Sequence, residues 1–141
     1  MIDYTECVRI GLLKQIAPSD LQAEEQFKKA NVLLEEAQAA LKAELPNTAT
    51  MGAYSAALDA SRALLFRDGW RERSHACTAR YLEENYLNEI GADDIALLDH
   101  YRDARHKTMY SSEYYPTKEE AARVVKFAEG FILKIGKMRK K

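Results

Sequence analysis

The segment beginning at Thr117 constrains this chain more than any other. Thr117-Lys118-Glu119-Glu120 sets a hydroxyl three residues ahead of a carboxylate, the reciprocal arrangement that caps the start of a helix. Ala121, Val124, Val125, Ala128, Phe131, Ile132 and Ile135 then follow at three- and four-residue steps. An α-helix gathers that spacing onto one side. A helix with one apolar side needs a partner surface, so the rest of the chain must supply it.

The same pattern recurs upstream. Ser19-Asp20-Leu21-Gln22, after Pro18, is a second capping box, and Ala23, Phe27, Ala30, Leu34, Ala37 and Leu41 form one stripe behind it. Pro46-Asn47 breaks that helix, and a new run starts near Thr48, carries Met51, Tyr54, Leu58 and Leu65 among alanines, and ends at Asp68-Gly69. Ser74 caps a shorter helix through Cys77, Tyr81 and Leu82 that closes around Asn88 and Gly91. Asp93 or Asp94 opens the next, and Glu6 to Gln15 reads as a short N-terminal helix within residues 1–17. No stretch alternates as a strand would and no internal repeat is visible. The expectation is a single all-α domain over residues 1–141, an up-and-down antiparallel bundle of five to six helices.

Composition sets the class and closes off others. The formal net charge is −1, so the molecule as a whole has no field that recruits nucleic acid or anionic lipid. A local patch would have to do so, or the basic end Lys134 to Lys141, which reads more simply as a solvated helix terminus whose cations suit the helix dipole. Cys7 and Cys77 have no CxxC spacing and read as buried free thiols of a reducing compartment. No segment is long and apolar enough for a membrane span, and no signal peptide is indicated, so the expected location is cytoplasmic with no membrane partner.

The chemistry concentrates in Tyr101-Arg102-Asp103-Ala104-Arg105-His106-Lys107-Thr108-Met109-Tyr110. On a helix, Arg102, Arg105 and His106 point the same way. Two guanidinium forks suit a phosphate, and an imidazole can give or take a proton near neutral pH. Lys107 adds charge, and Tyr110 and Tyr114, with Tyr101 and Tyr115 nearby, offer faces for stacking bases or for packing. His75, at a helix start, reads either as a site contributor or as a packed or capping side chain.

Three segments together resemble the HEPN superfamily over roughly residues 20–137. They are Tyr54-Ser55-Ala56-Ala57-Leu58-Asp59-Ala60-Ser61-Arg62-Ala63-Leu64-Leu65 before Gly69, the step Ser74-His75-Ala76, and the cationic helix with Thr117 to Phe131 behind it. The resemblance implies a homodimer whose motif helices face each other across a cleft, in a toxin–antitoxin or defence setting, often beside a small nucleotidyltransferase partner. Active members of the family cut RNA without metal: an arginine holds the scissile phosphate and a histidine moves the proton of the ribose 2′-hydroxyl, leaving a 2′,3′-cyclic phosphate. In the family four to six residues separate the two, whereas three separate Arg102 from His106. In a second register Arg105 and Tyr110 align with an Arg-x-x-Ala-Asp-Tyr ending, with Thr108 and Met109 in the Ala-Asp positions. On this reading Arg102, Arg105 and His106 are the candidate catalytic residues, and Lys107, Tyr110 and Tyr114 the candidate nucleic-acid or nucleotide contacts.

The alternative is a catalytically inactive HEPN dimer serving as a protein-interaction module, with Arg102 and Arg105 consumed in ion pairs to Asp99, Asp103 or Glu113. A metal–carboxylate bundle is disfavoured, because Glu35-Glu36, Glu83-Glu84 and Glu119-Glu120 are adjacent pairs that diverge around a helix. With no glycine-rich phosphate loop, nucleophile elbow or zinc-ligand spacing, neither a cofactor nor a metal is expected.

Overall fold

The computed structural model describes residues 2–139; Met1 and the last two lysines of the basic tail lie outside the described residues. The elements run α1 (Tyr4–Arg9), β1 (Leu13–Gln15), α2 (Asp20–Lys42), α3 (Pro46–Asp68), β2 (Trp70–Glu72), α4 (His75–Ile90), α5 (Ala92–Tyr110) and α6 (Lys118–Arg139). The fold is an all-α bundle, and its boundaries fall where the local chemistry sets them. Ser19 Oγ accepts the Gln22 N–H at 3.1 Å. Thr117 Oγ1 accepts from the Glu120 N–H at 3.1 Å while Glu120 Oε1 accepts from the Thr117 N–H at 3.3 Å, closing the reciprocal cap. Proline suits the first turn of a helix, so α3 begins at Pro46 itself, two residues before the expected start.

The central helix α3 packs against α2, α4, α5 and α6. Its buried face is largely alanine, from Ala49 and Ala53 through Ala56, Ala57, Ala60 and Ala63, which lets neighbouring helices come close. At the α2–α3 crossing a Cβ on Gly52 would sit 3.3 Å from the Ala37 Cβ, so the contact is set by the smallest side chains. All seven stripe residues of α6 are buried. They divide between two core clusters, and Tyr101 packs against both.

The N-terminal region departs from the expected helix over Glu6 to Gln15. The helix stops at Arg9, Gly11 turns the chain at φ +80°, and β1 pairs antiparallel with β2, Leu13 opposite Glu72 and Gln15 opposite Trp70. A three-residue strand is too short to show a period of two, and its partner lies far along the chain, so no local pattern announces it. Gly69, at φ +89°, both ends α3 and admits the incoming segment: a Cβ there would meet the Ile16 carbonyl oxygen and Pro18 Cγ at 2.9 Å each.

The expected free thiols are also corrected. Cys7 of α1 and Cys77 of α4 form a disulfide, Cα atoms 5.8 Å apart, with both residues fully buried. The two meet because α1 packs on α4, a tertiary contact that cysteine spacing does not encode. The cysteines therefore no longer argue for a reducing compartment. Among the described residues, no helix is long and apolar enough to cross a membrane.

Candidate functional site

The first turn of α4 and the middle of α5 enclose a pocket of about 300 Å³ lined by Ser74, His75, Ala76, Arg102, Asp103, Arg105 and His106. Its geometry begins with Ser74, whose backbone is extended and whose Oγ accepts the Cys77 N–H at 3.4 Å. That cap fixes where α4 starts and brings the positive end of the helix to the pocket wall. The disulfide holds Cys77, one residue beyond Ala76. On α5, Arg102, Arg105 and His106 reach the same cavity from successive turns, as their three- and four-residue spacing requires.

The cations differ in how far they are engaged. The Nε of Arg102 lies 3.7 Å from Asp99 Oδ1, and neither atom has a hydrogen-bond partner. The other oxygen of Asp99 accepts from the buried Arg80, at 2.5 Å. No carboxylate among the described residues lies within ion-pair distance of Arg105. His106 stacks on Tyr110, ring centroids 4.8 Å apart. His75 is half-buried, with its ring 5.9 Å from that of Tyr54. Burial, reinforced by the charges of Arg62, Arg105 and Arg102, lowers its pKa to about 4, so at neutral pH it is an uncharged imidazole among cations. Burial likewise raises the pKa of the Tyr54 phenol, against the fields of Arg102 and Arg105. The pocket thus holds Arg102 and Arg105 beside the carboxylate Asp103 and a histidine that is neutral at neutral pH.

The other sequence candidates separate from this cluster. Lys107 pairs with Asp103 at 3.1 Å and lines a different cavity, on the α6 side of α5. Tyr114 lines that second cavity too, its hydroxyl donating to Glu120 Oε2 at 3.0 Å. Tyr110 and Tyr115 are exposed, whereas Tyr101 packs its ring 5.2 Å from Phe127. Of the suggested carboxylate partners, Asp99 engages Arg102, Asp103 takes Lys107, and Glu113 pairs with neither arginine.

With this arrangement in place, comparison with known families becomes informative. The model of the HEPN domain matches residues 23–138, most of the chain. The chain belongs to the HEPN domain family. No curated protein matches it. The match spans α2 through nearly all of α6 and so includes both walls of the HEPN pocket, Ser74 to Ala76 and Arg102 to His106.

His75 combines the two readings its sequence position allowed, packing beside Tyr54 and lining the pocket with the arginines. The signal was present in Ser74-His75, since a residue directly after an N-cap stands in the first helical turn, where anion sites form. For Thr50, Arg123 and His100, which line the second cavity, nothing in the local sequence gave notice. Chemically, the HEPN pocket can clamp a phosphate between Arg102 and Arg105 and offer it two imidazoles, His75 and His106. That set has the components for moving a proton to and from oxygens of the bound group.

Proposed function

We propose that this HEPN protein acts on RNA, binding a backbone phosphate between the N-terminus of α4 and the cationic face of α5. The carrying observation is the convergence of Arg102, Arg105, His75 and His106 on one cavity, with no carboxylate among the described residues within ion-pair distance of Arg105. In the proposed reaction the ribose 2′-oxygen attacks the adjacent phosphorus and the P–O5′ bond breaks. One imidazole accepts the 2′-hydroxyl proton and a proton is returned to the departing 5′-oxygen, giving a 2′,3′-cyclic phosphate and a 5′-hydroxyl. The arginines stabilise the charge that builds on the phosphoryl oxygens. A metal is not required by this scheme. The working unit is a homodimer, in a toxin–antitoxin or defence setting.

The test is cleavage of single-stranded RNA by the purified protein in chelator, beside Arg105→Ala, Arg102→Ala and His106→Ala variants of unchanged melting temperature. Cyclic-phosphate products that disappear in the variants support the proposal. Absence of wild-type cleavage removes its catalytic part, and unchanged RNA affinity in the arginine variants removes its binding part. Two observations favour a second reading: Asp99 already draws on Arg102, and the Arg102–His106 spacing is short for the family. In that case the domain is an inactive dimer that engages a protein such as a nucleotidyltransferase, and co-expression with one would yield a complex that survives Arg105→Ala.

A further inference from the structure

On the other side of α5, a cleft of about 280 Å³ opens between α5, α6 and α3. Thr50 of α3 lines it and is 1% exposed, and its hydroxyl oxygen has no hydrogen-bond partner. That is unusual within this fold. The helical hydroxyls of Ser61, Thr78 and Thr108 each donate to the carbonyl one turn back, at 2.9, 3.4 and 2.7 Å. A buried hydroxyl left unpaired costs stability, and a ligand that completes it recovers that cost. The walls beside it are mixed: Ala104, Val124 and Pro116 are apolar, Tyr101 and Tyr114 bring rings, and the cations Arg123 and Lys107 stand with the carboxylates Asp103 and Glu120. Arg123 is exposed, and its charge acts on Glu120, which also lines the cleft.

The cleft is not isolated. Asp103 lines both it and the phosphate pocket, while Tyr101 and Arg123 line both it and an open groove along α5 and α6 that also carries Lys126 and Phe127. Three cavities therefore follow one another across the surface, sharing residues and carrying cations and aromatic rings together with the carboxylates Asp103 and Glu120. The cations and rings are groups on which the phosphates and bases of a single strand can lie.

We infer that the cleft between α5, α6 and α3 is a nucleobase pocket, in which an unpaired base lies against the tyrosines, hydrogen-bonds to the Thr50 hydroxyl and has its neighbouring phosphate held by Arg123. A flat ring with polar edges suits a cleft that combines apolar walls, aromatic neighbours, carboxylate acceptors at Asp103 and Glu120 and one buried hydroxyl that both donates and accepts. The inference rests on the proposed RNA function in one respect, that the base belongs to the strand whose phosphate occupies the Arg105 pocket. A free nucleotide has the same chemistry and is the other source.

The experiment measures binding of a short single-stranded RNA and of an abasic ribose-phosphate strand of equal length, by fluorescence anisotropy. Wild type, Thr50→Val, Arg123→Ala and Arg105→Ala are compared, and 5′-mononucleotides are titrated separately by NMR. The expected result is a wild-type preference for the base-bearing strand of about tenfold, eroded about five- to tenfold by Thr50→Val, while Arg123→Ala, which removes a phosphate contact, should weaken both strands. Arg105→Ala should weaken both strands alike. Thr50→Val removes only an unpaired hydroxyl, so its melting temperature should hold or rise, which separates lost binding from lost folding. Equal wild-type affinity for the two strands, or a preference untouched by Thr50→Val, overturns the inference while leaving the Arg105 pocket standing. If Arg105→Ala changes nothing but mononucleotides bind and Thr50→Val weakens them, the strand reading fails and the cleft is a nucleotide site. If neither RNA nor millimolar mononucleotides perturb the cleft, the base pocket is wrong.

Discussion

Helices α5 and α6 are of similar length and lie side by side, yet they are built to different ends. In α6, seven residues are buried, all on one stripe, and the polar residues face away. In α5 only Ile95 and Leu98 are buried, both in its first half, and the rest of the helix carries Arg102, Asp103, Arg105, His106 and Lys107 at the surface or half-covered. A helix with so little apolar area cannot be held by packing alone along its length. Its middle is bracketed by its neighbours: Asp99 bridges toward Arg80 of α4, and Tyr101 packs against Phe127 of α6. The buried packing thus lies in α6 and the solvent-facing cations in the second half of α5, and the two can be perturbed separately.

The sharpest break of that contrast is in α6. Phe131→Ala removes a side chain that is 1% exposed, and the cavity left behind should cost about 3–5 kcal/mol, read as a large fall in the urea midpoint. If the loss is under about 1 kcal/mol, α6 does not hold the bundle as argued. Reduction of Cys7–Cys77 should come next. The bond closes a loop across a sequence separation of 70 residues, for which chain entropy gives a loss of about 4 kcal/mol. Melting with and without a reductant, beside Cys7→Ala, checks this. A shift confined to α4 and the phosphate pocket in hydrogen exchange would show that the bond acts locally.

How much of this was legible in the sequence follows the same divide. The caps at Ser19, Ser74 and Thr117 and the stripe of α6 were readable because each is a local pattern with a local cause. The β1–β2 pair and the disulfide were not, because each joins segments far apart and is decided by α1 docking on α4. At the site, the spacing of Arg102, Arg105 and His106 placed them together, since all three stand on one helix. His75 came to them from another element, and Thr50 from a third, by packing that no spacing reports. Lys107 and Tyr114 were grouped with the cluster by nearness in sequence, yet Lys107 faces the opposite side of α5 and Tyr114 reaches that same side from the segment after the helix.

Arg105→Ala sharpens the contrast from the side of function. The residue is half-buried with no ion-pair partner among the described residues, so the expected change in stability is within about 0.5 kcal/mol. If the proposed chemistry holds, RNA cleavage should fall by about 10²- to 10³-fold, as when a donor to developing phosphoryl charge is removed. A melting shift as large as that of Phe131→Ala would instead make α5 a structural helix and favour the interaction-module reading.

The smallest effect is one of pH, and it reports directly on the pocket's charge. His75 has a folded pKa of about 4 against an ordinary value near 6.5, lowered first by burial and then by Arg62, Arg105 and Arg102. Between those values the unfolded chain binds a proton that the folded chain refuses, so unfolding is favoured as pH falls. The contribution of His75 is therefore intact above about pH 6.5 and is lost progressively toward pH 4. Because the ring is only half-buried, solvent moderates the loss, and the observable is the slope of stability against pH rather than its total. His75→Gln should flatten that slope relative to wild type. A phosphate seated against Arg102 and Arg105 would cancel part of the field that holds His75 neutral. Inorganic phosphate or RNA should then move the His75 imidazole resonance toward a higher pKa by NMR. A titration unmoved by saturating ligand would mean that the anion lies elsewhere, and that the neutral histidine belongs to the packing of α4 against Tyr54.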